Sequence, residues 1–251
     1  RSGALVTNNV VSGNNDDGIR VIAELIGDPD PTGVRIIDNT IGTNGAGTTS
    51  IPNGSNGIYL EGSEHIISEN TISGNDEYGI WVLGNDNQIS SKRIGTNKAG
   101  TTAIGNQRHG LAISGSRNII SLNTVSGNHL SGITVAPTGA KAPRPDRNVL
   151  TGNFVGTNSA GTEALPNTLD GIIIAAADNT RIGGFGANIP AERNIISGNL
   201  ANGISLISGA MFTRISGNYI GTGTDGASAL GNTGRGIRVG TSVSNTIIGG
   251  P

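Results

Sequence analysis

The chain has 251 residues, 42 of them glycine, and a formal net charge of −2 from 16 Lys plus Arg against 18 Asp plus Glu. So even a balance gives no electrostatic footprint for nucleic acid, and 9 prolines without a Gly-X-Y register exclude collagen. No apolar run approaches the ~18 residues a membrane-spanning helix needs. Hydrophobic residues make up only 34%, yet Ile and Val recur on a schedule that a disordered chain lacks. Cysteine is absent, which suits a secreted or surface protein that needs no disulfides.

In chain order, Arg1-Ser2-Gly3 shows no signal-peptide pattern. A short strand then ends at Val6, a turn asparagine follows at Asn9, a second strand sits at Val11, and a third opens at Gly18-Ile19-Arg20-Val21. That order repeats eight times. The first strand recurs at Ile36, Ile67, Ile89, Ile120, Leu150 and Ile215, and the second at Ile41, Ile72, Ile94, Val125, Val155, Ile196 and Ile220. The third recurs as Gly-[Ile/Leu]-x-[Val/Leu/Ile] from Gly57, Gly79, Gly110, Gly132, Gly171, Gly203 and Gly236.

The distance from turn asparagine to third-strand glycine alternates between 9 and 18: Asn9 to Gly18, Asn39 to Gly57, Asn70 to Gly79, Asn123 to Gly132, Asn153 to Gly171, Asn194 to Gly203 and Asn218 to Gly236. Lys92 stands at the asparagine position before Gly110. The shortest coil is 22 residues. Self-similarity at such a period marks a solenoid. The fold class is therefore all-β: a parallel β-helix of about eight coils with three short strands each, as a single segment over residues 1–251. The closing Asn245-Thr246-Ile247-Ile248-Gly249-Gly250-Pro251 echoes Asn179-Thr180-Arg181-Ile182-Gly183-Gly184. We read this as the start of a ninth turn, and the chain as a piece of a longer repeat protein. Asparagine tolerates the left-handed turn conformation, and its amide can bond its counterparts in the coils above and below. An asparagine ladder is expected, weakened at Lys92.

Even-numbered coils carry nine extra residues after the second strand, opening with Gly42-Thr43-Asn44, Gly95-Thr96-Asn97, Gly156-Thr157-Asn158 and Gly221-Thr222-Gly223. They read as compact loops packing on one another. They lack the carboxylates that calcium requires. Longer insertions follow the third strand. Ile22 to Gly33 is acidic, Ala136 to Arg147 is basic with Lys141, Arg144 and Arg147, and another lies around Phe185 to Arg193. They read as solvated loops.

Phrases such as Asn70-Thr71-Ile72-Ser73-Gly74-Asn75 and Asn194-Ile195-Ile196-Ser197-Gly198-Asn199 resemble the right-handed parallel β-helix of the pectate-lyase-like superfamily, in its repeat-rich bacterial branch. The resemblance covers essentially the whole chain and speaks for fold far more than for function. It implies that a substrate groove would run along the third-strand sheet, whose outward side chains would do the chemistry. By alternation the outward residues are Arg20, Tyr59, Trp81, Ala112, Thr134, Ile173, Ser205 and Arg238. A second outward row reads Ile22, Glu61, Leu83, Ser114, Ala136, Ala175, Ile207 and Gly240. One carboxylate and two distant arginines are too few for the paired carboxylates of glycoside hydrolysis.

The rows are instead aromatic at one end. Tyr59 and Trp81 fall on adjacent coils, Tyr78 precedes Gly79 and His109 precedes Gly110. With Glu61 and Arg20 these form a candidate sugar-binding surface; the opposing reading has Tyr59 and Trp81 merely covering the sheet. His65, His109 and His129 lie on different coils without ligand spacing, so neither a metal nor a cofactor is expected.

The sequence thus points to a structural or binding module of a secreted or surface bacterial protein, with polysaccharide as partner through the third-strand face. It would stack on neighbouring repeats of the parent chain and, through uncapped sheet ends, self-associate end to end. The alternative is a polysaccharide lyase, epimerase or hydrolase in the same groove, with Glu61, Glu77, Arg108 and His109 as catalytic candidates. A third reading is a mechanical spacer without ligand.

Overall fold

Alternating aliphatic residues bury one face of every short strand, and the chain meets that demand by coiling. The computed structural model describes residues 3–25, 27–185 and 189–250. The insertions over Ile22 to Gly33 and Phe185 to Arg193 therefore each include residues outside the description, as do Arg1, Ser2 and Pro251. Three parallel sheets run the length of the rod, with nine, eight and eight strands. The first sheet begins with Leu5–Thr7, Arg35–Ile37 and Ile66–Ser68 and reaches Ile247–Ile248. The second runs from Val10–Val11 to Tyr219–Ile220, and the third from Ile19–Val21 to Ile237–Val239. Each strand pairs with its counterpart one coil away, so the rest of the coil serves as the crossover that parallel pairing requires. The helix Ile189–Glu192 is a single turn in the insertion of the seventh coil.

The triangular interior is aliphatic. In the fourth coil Ile89, Ile94, Leu111 and Ile113 are fully buried, and equivalent residues recur above and below. Each such side chain contributes on the order of 1.5–3 kcal/mol. The glycine that opens the third strand answers to crowding. A Cβ at Gly79 would lie 2.5 Å from the Gly110 carbonyl oxygen and 2.8 Å from Ile94 Cγ2.

The expected asparagine ladder is present at the corner between the first and second strands. Asn123 donates its backbone N–H (3.1 Å) and its amide (3.0 Å) to Asn153 Oδ1, and its amide also reaches Ile89 O at 3.0 Å. The left-handed residue, however, is not the ladder asparagine but the one before it: Asn8, Asp38, Glu69, Ser91 and Leu122 have φ of 54–58°. The ladder side chain points inward to bond, and its neighbour makes the turn. Lys92 is fully buried in the ladder. Its backbone N–H still donates to Asn123 Oδ1 (3.3 Å), and Nζ finds Ser90 O at 3.4 Å. A lysine offers no acceptor to Asn70 in the preceding coil.

A second ladder crosses all eight coils without a break: Asn14, Asn53, Asn75, Asn106, Asn128, Asn167, Asn199 and Asn232, with amide-to-Oδ1 distances of 2.8–2.9 Å. It explains the fixed nine-residue insertions. Each is pinched by an antiparallel bridge (Thr43 with Ser50, Thr96 with Ala103, Thr157 with Ala164, Thr222 with Ala229), which returns the chain to the same ladder position. The loops also bond one another, Lys98 N–H to Gly47 O at 3.1 Å and Ser159 N–H to Gly100 O at 2.9 Å.

At the third corner the stack is mixed. His65 accepts the Val34 N–H on Nδ1 (3.0 Å) and donates its own backbone N–H to Asn87 Oδ1 (2.9 Å), and Asn118 and Asn148 continue the row. His65 is thus an imidazole in an amide's place.

Candidate functional site

Strand register brings the outward residues of the third sheet into one file. Arg20 pairs with Tyr59, Tyr59 with Trp81, Trp81 with Ala112 and Ala112 with Thr134, followed by Ile173, Ser205 and Arg238. Tyr59 and Trp81 stand one above the other, ring centroids 5.4 Å apart and edge to face. Tyr78 reaches Trp81 from the preceding corner at 5.4 Å and stacks on His109 at 5.8 Å, nearly parallel. The Arg20 guanidinium lies 4.9 Å from the Tyr59 ring centre and that of Arg108 lies 5.6 Å from Tyr78. All four rings are half-buried, each keeping part of its surface in solvent. The sequence placed Tyr59, Trp81, Tyr78 and His109 on one surface; the ring contacts of Tyr78 with Trp81 and with His109 come from the structure.

Those contacts have a local cause. The residue before each third-strand glycine (Asp17, Asn56, Tyr78, His109, Ser131, Asp170, Asn202, Arg235) occupies a further row at the corner that leads into the third strand. Where the row is polar, a side-chain oxygen accepts the N–H of the next coil: Asp17 from Asn56 at 3.0 Å and Asp170 from Asn202 at 2.8 Å. His109 plays the same part, its Nδ1 accepting the Ser131 N–H at 3.1 Å, with Thr134 Oγ1 at 3.3 Å. A backbone N–H only donates, so the His109 proton sits on Nε2. Burial, assisted by the nearby Arg108 charge, lowers its pKa below 6.5. The constant position before the glycine was the signal that would have found this row.

The candidate charged groups already have partners. Glu61 Oε1 accepts the Tyr59 hydroxyl at 2.8 Å, and burial together with that carboxylate pushes the Tyr59 pKa up to about 12. Glu77 pairs with Arg108, whose pKa rises through its contacts with Tyr78 and Glu77. Arg20 faces Asp16 and Asp17 at 3.4 and 3.5 Å. The basic insertion is neutralised likewise: Arg144 forks onto Asp178 at 2.6 and 2.8 Å, and Arg147 lies 3.1 Å from Asp146. Past Leu83 the outer face opens into a cavity of about 290 Å³ lined by Asn85, Ser114, Ser116, Thr138 and Arg144.

A fold built on three stacked parallel sheets with a polar ladder at each corner is that of a β-helix repeat protein. Residues 36–182, more than half of the chain, match the family described as periplasmic copper-binding protein (NosD), and the chain belongs to that family. Among solved structures, the A-module of the mannuronan C-5 epimerase AlgE6 from Azotobacter vinelandii is similar over 100% of this chain and 80% of its own, at 11% identity and a TM-score of 0.44. No curated protein matches the chain. No helix among the described residues is long and apolar enough to cross a membrane.

The family description raises copper, and the donor set here does not fit it. Copper sites draw on imidazole, thiolate and thioether. The sequence has no cysteine and one methionine. His65 engages both ring nitrogens, accepting from Val34 and donating through Nε2 to Glu61 O at 2.9 Å. His109 spends Nδ1 on Ser131, and His129 lies 3.3 Å from Asn106 O through Nδ1. Among the described residues no three His, Cys, Asp or Glu side chains gather as a metal site would require.

Proposed function

We propose that this chain is a carbohydrate-recognition module of an exported bacterial protein, working through the outer face of its third sheet. The observation that carries the reading is the ring cluster Tyr59, Trp81, Tyr78 and His109, which draws two of three tyrosines and the sole tryptophan of the sequence to one place. Apolar ring faces with polar edges suit the hydrophobic face of a sugar, and Arg20 and Glu61 border the cluster with hydrogen-bonding groups. A rigid solenoid is suited to present such an extended surface. The periplasmic description of the family supports export, with the periplasm as apt a location as the cell surface.

The partnering of Glu61, Glu77, Arg108 and His109 supports binding over the lyase, epimerase or hydrolase alternative. A general base needs its lone pair within reach of substrate, and these groups are spent on Tyr59, on one another and on the Ser131 amide. Half-buried rings on an open sheet likewise speak against a bare spacer. Titration of Trp81 fluorescence with a panel of polysaccharides tests the reading. A saturable shift with at least one glycan is expected; none at millimolar concentration would remove it.

A further inference from the structure

The charges around the ring cluster and the cavity beside it specify the ligand more closely. Two cations, Arg20 and Arg108, sit among four carboxylates: Asp16, Asp17, Glu61 and Glu77. Both cations are paired, and His109 is held neutral at physiological pH by burial. On the far side of the strand Arg144 is locked by two hydrogen bonds to Asp178 and a third, 2.7 Å, to Gly209 O, while Arg117 forks onto Asp86 at 2.6 and 2.7 Å. A uronate carboxylate arriving here would meet net negative charge and no uncommitted guanidinium, and burying an unpaired charge is costly. The cavity offers hydroxyls and amides from Ser114, Ser116, Thr138 and Asn85. Ser114 lies in the coil after Leu83, and its N–H bonds Val82 O at 2.8 Å. At the usual strand rise, the second outward row stands about 7 Å along the strand from Trp81.

We propose that the module binds an uncharged oligosaccharide laid across the rod, along the strand direction, with one ring on Trp81 and the next entering the Ser114 cavity. The proposal rests on the recognition reading above and adds the substrate class and the direction of the bound chain. Paired charges and hydroxyls match a ligand whose only polar groups are hydroxyls. The arginines, being held by their own carboxylates, act as walls and not as anion receptors.

Isothermal titration with uncharged gluco- and manno-oligosaccharides of increasing length, with oligouronates and with glucosamine oligomers tests it. An uncharged trisaccharide should bind at least about tenfold more tightly than either charged series of equal length. Ser114→Phe, which fills the cavity, should abolish the gain from mono- to trisaccharide. Asp178→Asn frees Arg144 and should admit oligouronates; Glu77→Gln, freeing Arg108, provides the same test if the first variant melts early. Preference for a charged series, or indifference to Ser114→Phe, overturns the proposal while leaving recognition standing. Silence towards every sugar, in heat and in Trp81 fluorescence, overturns both.

Discussion

The outer face of the third sheet is one backbone with two characters. In the first half it shows Arg20, Tyr59 and Trp81, flanked by Tyr78 and His109; in the second it shows Thr134, Ile173 and, at the far end, Arg238. Inside, the halves are alike: Ile58 and Leu60 answer to Ile172 and Ile174, and both pairs are fully buried. The inner row and the corner ladders hold the coil, which leaves the outer row free to vary. Tyr59 and Trp81, adjacent rings on a row the fold does not need, are best explained by something outside the fold.

The comparison can be broken or sharpened by substitution. The largest effect is expected from the inner row shared by both halves. Ile133→Asp places a carboxylate among fully buried aliphatics and should remove the whole of a folding stability on the order of 5–15 kcal/mol. A β-rich circular dichroism spectrum with unchanged melting would show that the interior does not carry the fold. Next comes the unbroken ladder. Asn128→Leu takes from Asn106 the Oδ1 that accepts both its backbone N–H and its amide, and leaves Asn167 Oδ1 with only the backbone N–H of residue 128, at a cost of about 2–4 kcal/mol in urea unfolding. No measurable change would mean the ladder is a passenger of the stack.

Lys92→Asn should act in the opposite direction. It restores the acceptor that Asn70 lacks and removes a buried amine, raising stability by about 1–2 kcal/mol. Burial drives the Lys92 pKa well below 10.5. Between that lowered value and 10.5 the unfolded chain holds a proton that the folded chain does not. Wild-type stability therefore rises with pH towards 10.5 and falls on acidification. The advantage of Lys92→Asn should widen from about pH 10 to about pH 7; a gap independent of pH would place the amine in water. The smallest effect is expected on the outer row of the second half. Ile173→Ala should change stability by roughly 1 kcal/mol or less and leave sugar binding untouched.

Much of this was legible in the sequence because a solenoid repeats its constraints. Spacings of 9 and 18 residues located the strands, the alternation of Gly-Ile-x-Val located the core, and recurrence of asparagine revealed one ladder. The second ladder was equally visible: an asparagine stands four residues before every third-strand glycine, as in Asn75 to Gly79 and Asn167 to Gly171. It was obscured because half of these residues close the even-coil loops and read as turn residues. The third corner was not legible, because valine, histidine, asparagine and threonine share a position there and only the stacked backbone shows that His65 substitutes for an amide. The ion pairs Arg117–Asp86 and Arg144–Asp178 span 31 and 34 residues. Their pairing depends on how insertions of unequal length bring successive coils into register, which the spacing of charges along the chain does not reveal.

The central claim is that the ring cluster exists to hold a sugar. Its most direct measurement is a glycan array probed in parallel with the wild type, Trp81→Ala and Ile173→Ala, each first shown to melt at the same temperature to within a few degrees. Binding to uncharged glycans by the wild type and Ile173→Ala, lost in Trp81→Ala, is the expected result. Equal binding by all three proteins would contradict it.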